Sequence, residues 1–105
     1  MTDFQIVLSI CADREQAERI AHRLVEQQLA ACVNILPGVQ SIYRWQGAVE
    51  SAGEVMLLIK TKAAHSDQVR ATISSLHSYE VPEFLILPVS GGSEAYLDWL
   101  NTSLR

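Results

Sequence analysis

Val55-Met56-Leu57-Leu58-Ile59 is the stretch that most constrains this chain. Strand side chains alternate between two faces, so an unbroken apolar run puts apolar groups on both. Such a strand is central or covered on both sides. The chain has 105 residues, enough for one domain. At that size roughly 60–65% of the unfolded surface can be buried, so a lone protomer is only moderately stable. A second copy of the chain is one way to add core.

The remaining elements follow from pattern. Phe4 to Cys11 reads as a first strand, rich in Ile, Val and Leu. Asp13 suits the cap of the next helix, and Gln16 sits at the answering position of a capping box. Ala17, Ile20, Ala21, Leu24, Val25 and Leu29 repeat at helical spacing; Arg14, Glu18, His22 and Glu26 form the opposite, solvated stripe. Ala31 to Leu36 and Val39 to Trp45 read as one strand interrupted by Pro37-Gly38, which predicts a bend or bulge. Gln46-Gly47 begins a polar turn region, and the third strand runs from Glu54 to Lys62. Ser66 and Asp67 open a second helix with Val69, Ile73 and Leu76 inward. Phe84 to Val89 is a fourth strand, demoted towards an edge by Pro88. Gly91-Gly92-Ser93 leads into a short last helix with Tyr96, Leu97 and Leu100 on its buried face. The order is βαββαβ plus a terminal helix. This is the α+β, ferredoxin-like plan, an antiparallel sheet with two helices on one face. Two helices leave the other face and the long hairpin uncovered, and a second copy is the simplest cover.

Composition excludes several functions. The net charge is −4, and phosphate binding needs a basic face, so nucleic acid is not a partner. Apolar runs fall far short of a membrane span. Met1-Thr2-Asp3 lacks the basic start of a secretory signal. Two cysteines without CxxC spacing make no disulfide scaffold, so the expected setting is cytoplasmic with reduced thiols. Apolar residues make up 49% and charged residues 19%, a balance that favours self-association.

Chemistry concentrates in two places. Leu29-Ala30-Ala31-Cys32-Val33-Asn34 sets a cysteine and an asparagine where a helix gives way to a strand. His77-Ser78-Tyr79-Glu80-Val81-Pro82-Glu83 packs an imidazole, a phenol and two carboxylates before another strand. These groups suit a divalent cation or a small polar ligand, or a polar lid that caps the sheet. The candidate metal ligands are His77, Glu83 and Cys11. Strands one and four are antiparallel neighbours in this plan, so the three can meet at one sheet edge, closed by a neighbouring subunit. Imidazole with carboxylate suits copper(II) or zinc, and the usual affinity order favours copper. Such binding should weaken below about pH 6, where histidine charges. The competing readings are bland: His77 serving the helix C-terminus, Cys11 an inert buried thiol, the glutamates facing water. Cys32 reads as core packing, His22 and His65 as surface. Tyr43 and Trp45 share a strand face and read as interface or core aromatics. Lys60 interrupts an apolar strand and needs a carboxylate partner, or a stem that packs while its head reaches water.

With these residues in hand, the chain resembles the CutA family, the divalent-cation tolerance proteins, over nearly its whole length. The matching segments are Ala17 to Asn34, Ser41-Ile42-Tyr43-Arg44-Trp45-Gln46-Gly47, Ile59-Lys60-Thr61, the His77 to Glu83 run, and Tyr96-Leu97-Asp98-Trp99-Leu100. The resemblance implies a ferredoxin-like protomer and a tight homotrimer whose sheets meet edge to edge. It implies a link to copper and other divalent metals and no catalytic reaction or required cofactor. The trimer is similar to that of the PII signalling proteins, which fits sensing or adaptor work. Two departures stand out: Ala12 where the family often has proline after the cysteine, and Ser78 where it usually has proline after the histidine. Both loosen a loop. Two rival functions are a structural trimer that anchors other proteins, and an acylphosphatase-like hydrolase. The hydrolase needs a cationic phosphate cradle beside strand one. Cys11-Ala12-Asp13-Arg14 has no glycine there and carries an acid.

Overall fold

The computed structural model describes residues 2–105. Its elements are β1 (Phe4–Cys11), α1 (Arg14–Glu26), β2 (Cys32–Trp45), β3 (Ala48–Lys62), a 3-10 turn at Ala63–His65, α2 (Ser66–Leu76), β4 (Leu85–Pro88) and α3 (Glu94–Ser103). The strands form one antiparallel sheet in the order β2-β3-β1-β4. The ferredoxin-like plan is therefore the observed one, with the doubly apolar β3 inside the sheet and Pro88 on an edge strand.

Register separates the two faces. Val7, Ser9 and Cys11 lie opposite Ile59, Leu57 and Val55. All six are buried, and the five apolar ones join Ala17, Ile20 and Leu24 of α1 and Val69 and Ile73 of α2 in the main core. The alternate residues define the other face, where Ile6, Leu8 and Ile10 lie opposite Lys60, Leu58 and Met56. Leu85 and Leu87 of β4 and Leu36 of β2 extend this apolar row. α3 covers only one end of it, where Leu100 and Leu104 pack with Ala31, Phe4 and Leu97. Tyr96 is not on the buried side of α3 as its spacing suggests. Its ring is 42% exposed, and its hydroxyl meets Lys60 Nζ at 3.2 Å. Lys60 thus takes a phenol and the face of its ring in place of a carboxylate.

Caps and turns explain the boundaries. Asp13 accepts the Gln16 N–H at 2.8 Å and starts α1. The capping box is only half made, because the buried Gln16 Oε1 finds no partner. α1 ends where Gln28 turns to φ 58, which folds Leu29 back into the core. The exception on its inner stripe is Val25, 41% exposed.

Pro37-Gly38 makes a bulge, with the register shifting between Leu36 and Val39 and Gly38 at φ 74. The hairpin then closes tightly. Gln46 and Gly47 both have positive φ and Trp45 pairs with Ala48. That two-residue turn has the twist that lets strands pair at once. β3 consequently begins at Ala48, six residues before the Glu54 expected from hydrophobicity. Strand β1 reaches only as far as Val55 along β3. Val39–Trp45 and Ala48–Glu54 therefore project as a two-stranded ribbon. At about 3.3 Å per residue a strand of 14 residues spans roughly 46 Å, which accounts for the 45 Å long axis.

Candidate functional site

The segment from His77 to Phe84 joins α2 to β4 and is tied to the sheet at three points. His77 follows the last turn of α2, and its N–H donates to the Ile73 carbonyl. Its ring Nε2 donates to the Ile10 carbonyl of β1 at 2.6 Å. Its Nδ1 accepts the Tyr79 N–H at 3.0 Å. A carbonyl can only accept and an amide N–H can only donate, so these partners select the neutral Nε2–H tautomer. Ser9 Oγ, buried in β1, donates to the Glu83 carbonyl at 2.8 Å. Tyr79 Oη donates to Glu54 Oε2 of β3 at 2.6 Å.

The Tyr79–Glu54 bond is short, as expected when the acceptor is ionised. Burial pushes the Tyr79 hydroxyl up to about 12, and the hydrogen bond and charge of Glu54 add to the shift. Sequence pattern missed this pair. Glu54 reads as a strand start, and only the long hairpin brings it beneath Tyr79, 25 residues away along the chain.

Between the segment and the ribbon lies an open cleft of about 820 Å³. Ile10 and Ile42 are among its apolar lining. Tyr43, Trp45 and Tyr79 bring aromatic rings, and Glu54, Glu80 and Glu83 bring carboxylates. Among the described residues, no Lys, Arg or His lines it.

The expected ligands reach the same end of the sheet without forming one centre. Glu83 lines the cleft. Cys11 does not; it is fully buried in the core beneath the helices. Burial first, then the charges of Asp13 and Glu54, push its thiol up to about 11. A protonated, enclosed thiol is a poor ligand. Both ring nitrogens of His77 are already engaged. Among the described residues of a single chain, no three His, Cys, Asp or Glu side chains stand together to hold a metal ion. The three residues therefore do not fit copper or zinc as one chain is folded. Cys32 is a further correction, since it lies half-buried on the open face rather than in the core. His22 is exposed as expected, while His65 is half-buried and bonds the Arg105 carbonyl.

Fold and site together define a class: a small ferredoxin-like protein with an unsatisfied apolar sheet face and an aromatic, acidic cleft at the strand ends. Residues 5–103 match the family described as CutA1 divalent ion tolerance protein. The divalent-cation tolerance protein CutA of Pectobacterium atrosepticum is 44% identical, covering 100% of this chain and 96% of its own. The crystal structure of CutA from Xylella fastidiosa superposes with a TM-score of 0.96 at 43% identity, covering 99% of this chain and 100% of that one. A chloroplastic CutA of Arabidopsis thaliana is 41% identical over 95% of this chain and 55% of its own length. This chain belongs to the CutA1 divalent ion tolerance family. No described helix is long and apolar enough to cross a membrane.

Proposed function

We propose that this chain acts in divalent-cation tolerance as a homotrimeric, non-catalytic signalling or adaptor module of the cytoplasm. One observation carries the reading: the ribbon beyond Val55 stands as two strands with Ile42 71%, Trp45 60% and Val49 68% exposed. A two-stranded hairpin is marginal by itself in water. Its apolar residues, with the open sheet face, ask for copies of the same chain. Edge strands β2 and β4 offer unpaired backbone for the joint. Light scattering on the purified protein should give the mass of three protomers. A monomer at micromolar concentration would reject the assembly.

The non-catalytic part rests on the loop after β1. Arg14, the one cation there, is turned to Glu18 at 3.1 Å on the outside of α1. It offers no cradle for a phosphoryl group. Acyl phosphate turnover by the purified protein would revive the hydrolase reading.

Metal response in this reading is a property of the assembled trimer, not of a chelating centre inside one protomer. Calorimetry with copper should therefore give equal affinity for the wild type and for His77→Ala. A tenfold or larger loss in the variant would place the ion at His77 after all.

A further inference from the structure

We propose that His77 is an acid-operated latch, which one added proton opens by releasing the Tyr79 backbone. The inference goes beyond the cation-tolerance reading. It rests on bonds within a single chain, so it stands whether or not copies assemble. Ring Nε2–H donates to the Ile10 carbonyl at 2.6 Å, and Nδ1 accepts the Tyr79 N–H at 3.0 Å. Both partners are backbone groups that cannot exchange the roles of donor and acceptor. The neutral ring supplies one donor and one acceptor, and both are used. An imidazolium has two donors and no acceptor. The Ile10 bond survives the extra proton, whereas Nδ1–H then faces the Tyr79 N–H, donor against donor. The Tyr79 peptide must turn away. The ring is half-buried, so a proton from solvent can reach it.

Other ties set what moves. The Tyr79 ring lies 4.8 Å from the imidazole between centroids, and its hydroxyl is bonded to Glu54 at 2.6 Å. Turning the Tyr79 peptide therefore disturbs a bond that joins this segment to β3. The far end stays in place, because Ser9 Oγ holds the Glu83 carbonyl and neither group titrates. The titratable groups around the latch are Cys11 of β1, Asp13 at the start of α1, Tyr43 of β2 and Glu54 of β3, with Tyr79, Glu80 and Glu83 of the segment itself. The last turn of α2 brings no basic group. Among the described residues, no carboxylate forms an ion pair with the imidazole. The donor created at Nδ1 thus has no acceptor in place.

The test is NMR on the isotope-labelled full chain, with the mass measured on the same sample. It runs from about pH 7.5 to about pH 5, the range in which histidine charges. Imidazole nitrogen shifts should show the Nε2–H tautomer at the upper end and the doubly protonated ring at the lower. Exchange protection of the Tyr79 amide should fall about tenfold with the same midpoint, the worth of one hydrogen bond. Val7 and Leu57 in the core should stay protected. His77→Gln keeps a carbonyl and an N–H in its side chain but cannot titrate, so its Tyr79 amide should ignore this change of pH. Unchanged Tyr79 protection once the wild-type ring is charged would overturn the latch. So would the Nδ1–H tautomer near neutral pH, a ring that stays neutral throughout the range, or loss of core protection together with Tyr79. An equal pH response in His77→Gln would overturn it too, by moving the response to the carboxylates. A monomer that shows the local response would support the latch and reject the assembly.

Discussion

At the residue scale, the two perturbed groups make testable claims. Cys11 is sealed in the core with its thiol raised from 9.0 to about 11. Near neutral pH its thiolate fraction falls about a hundredfold below the ordinary one, two pKa units being two powers of ten. Iodoacetamide should label Cys32 in the native protein and reach Cys11 only after unfolding; mass spectrometry reads this directly. The same shift gives a pH dependence. The folded chain keeps its Cys11 proton where the unfolded chain loses it, so stability is intact below pH 9 and declines as pH rises towards 11. Tyr79, raised from 10.0 to about 12, extends the decline upward. Urea midpoints followed across this range should fall less for Cys11→Ala than for the wild type. Tyr79→Phe should free Glu54 and loosen the segment, seen as faster amide exchange from His77 to Glu83. The cysteine, histidine and glutamates were legible as chemical types. That His77 spends both nitrogens on backbone was not, because its partner Ile10 lies 67 residues away.

At the element scale, local rules served well where local forces decide. Asp13 was readable as a cap because a short acceptor before an amphipathic run satisfies free N–H groups. Asp13→Ala should cost about 1 kcal/mol in chemical denaturation. The Pro37-Gly38 bulge was readable for a similar reason, and Gly38 at φ 74 has space around it but a left-handed backbone that strains any residue with a side chain. Gly38→Ala should cost about 1–2 kcal/mol in the same assay. The first half of β3 was not readable. Ala48 to Gly53 has little apolar character, and it pairs because a tight turn delivers it against β2. Exposed Tyr96 was misread because helical spacing identifies a face, while the small area that α3 covers decides how much of that face is buried.

At the scale of the whole molecule, the imbalance between the two sheet faces is the governing fact. One face is closed by α1 and α2, and the other is covered only at one end by α3. Under the proposed trimer, thermal stability should rise with protein concentration. Trp45→Ala separates the chain from its assembly. The ring is 60% exposed in the single chain, so its loss should barely disturb the protomer fold. If a neighbour packs against it, the assembly should lose about 3–5 kcal/mol, visible as dissociation on dilution in analytical ultracentrifugation. Unchanged mass on dilution would place the indole in solvent. The order βαββαβ, the central place of β3 and the edge place of Pro88 were determined by sequence alone, because burial periodicity and proline chemistry act over a few neighbouring residues. The cleft, the Tyr79–Glu54 bond and the sealing of Cys11 were decided only by tertiary structure. Each depends on groups that are distant along the chain, and only the sheet register brings them within a few ångströms.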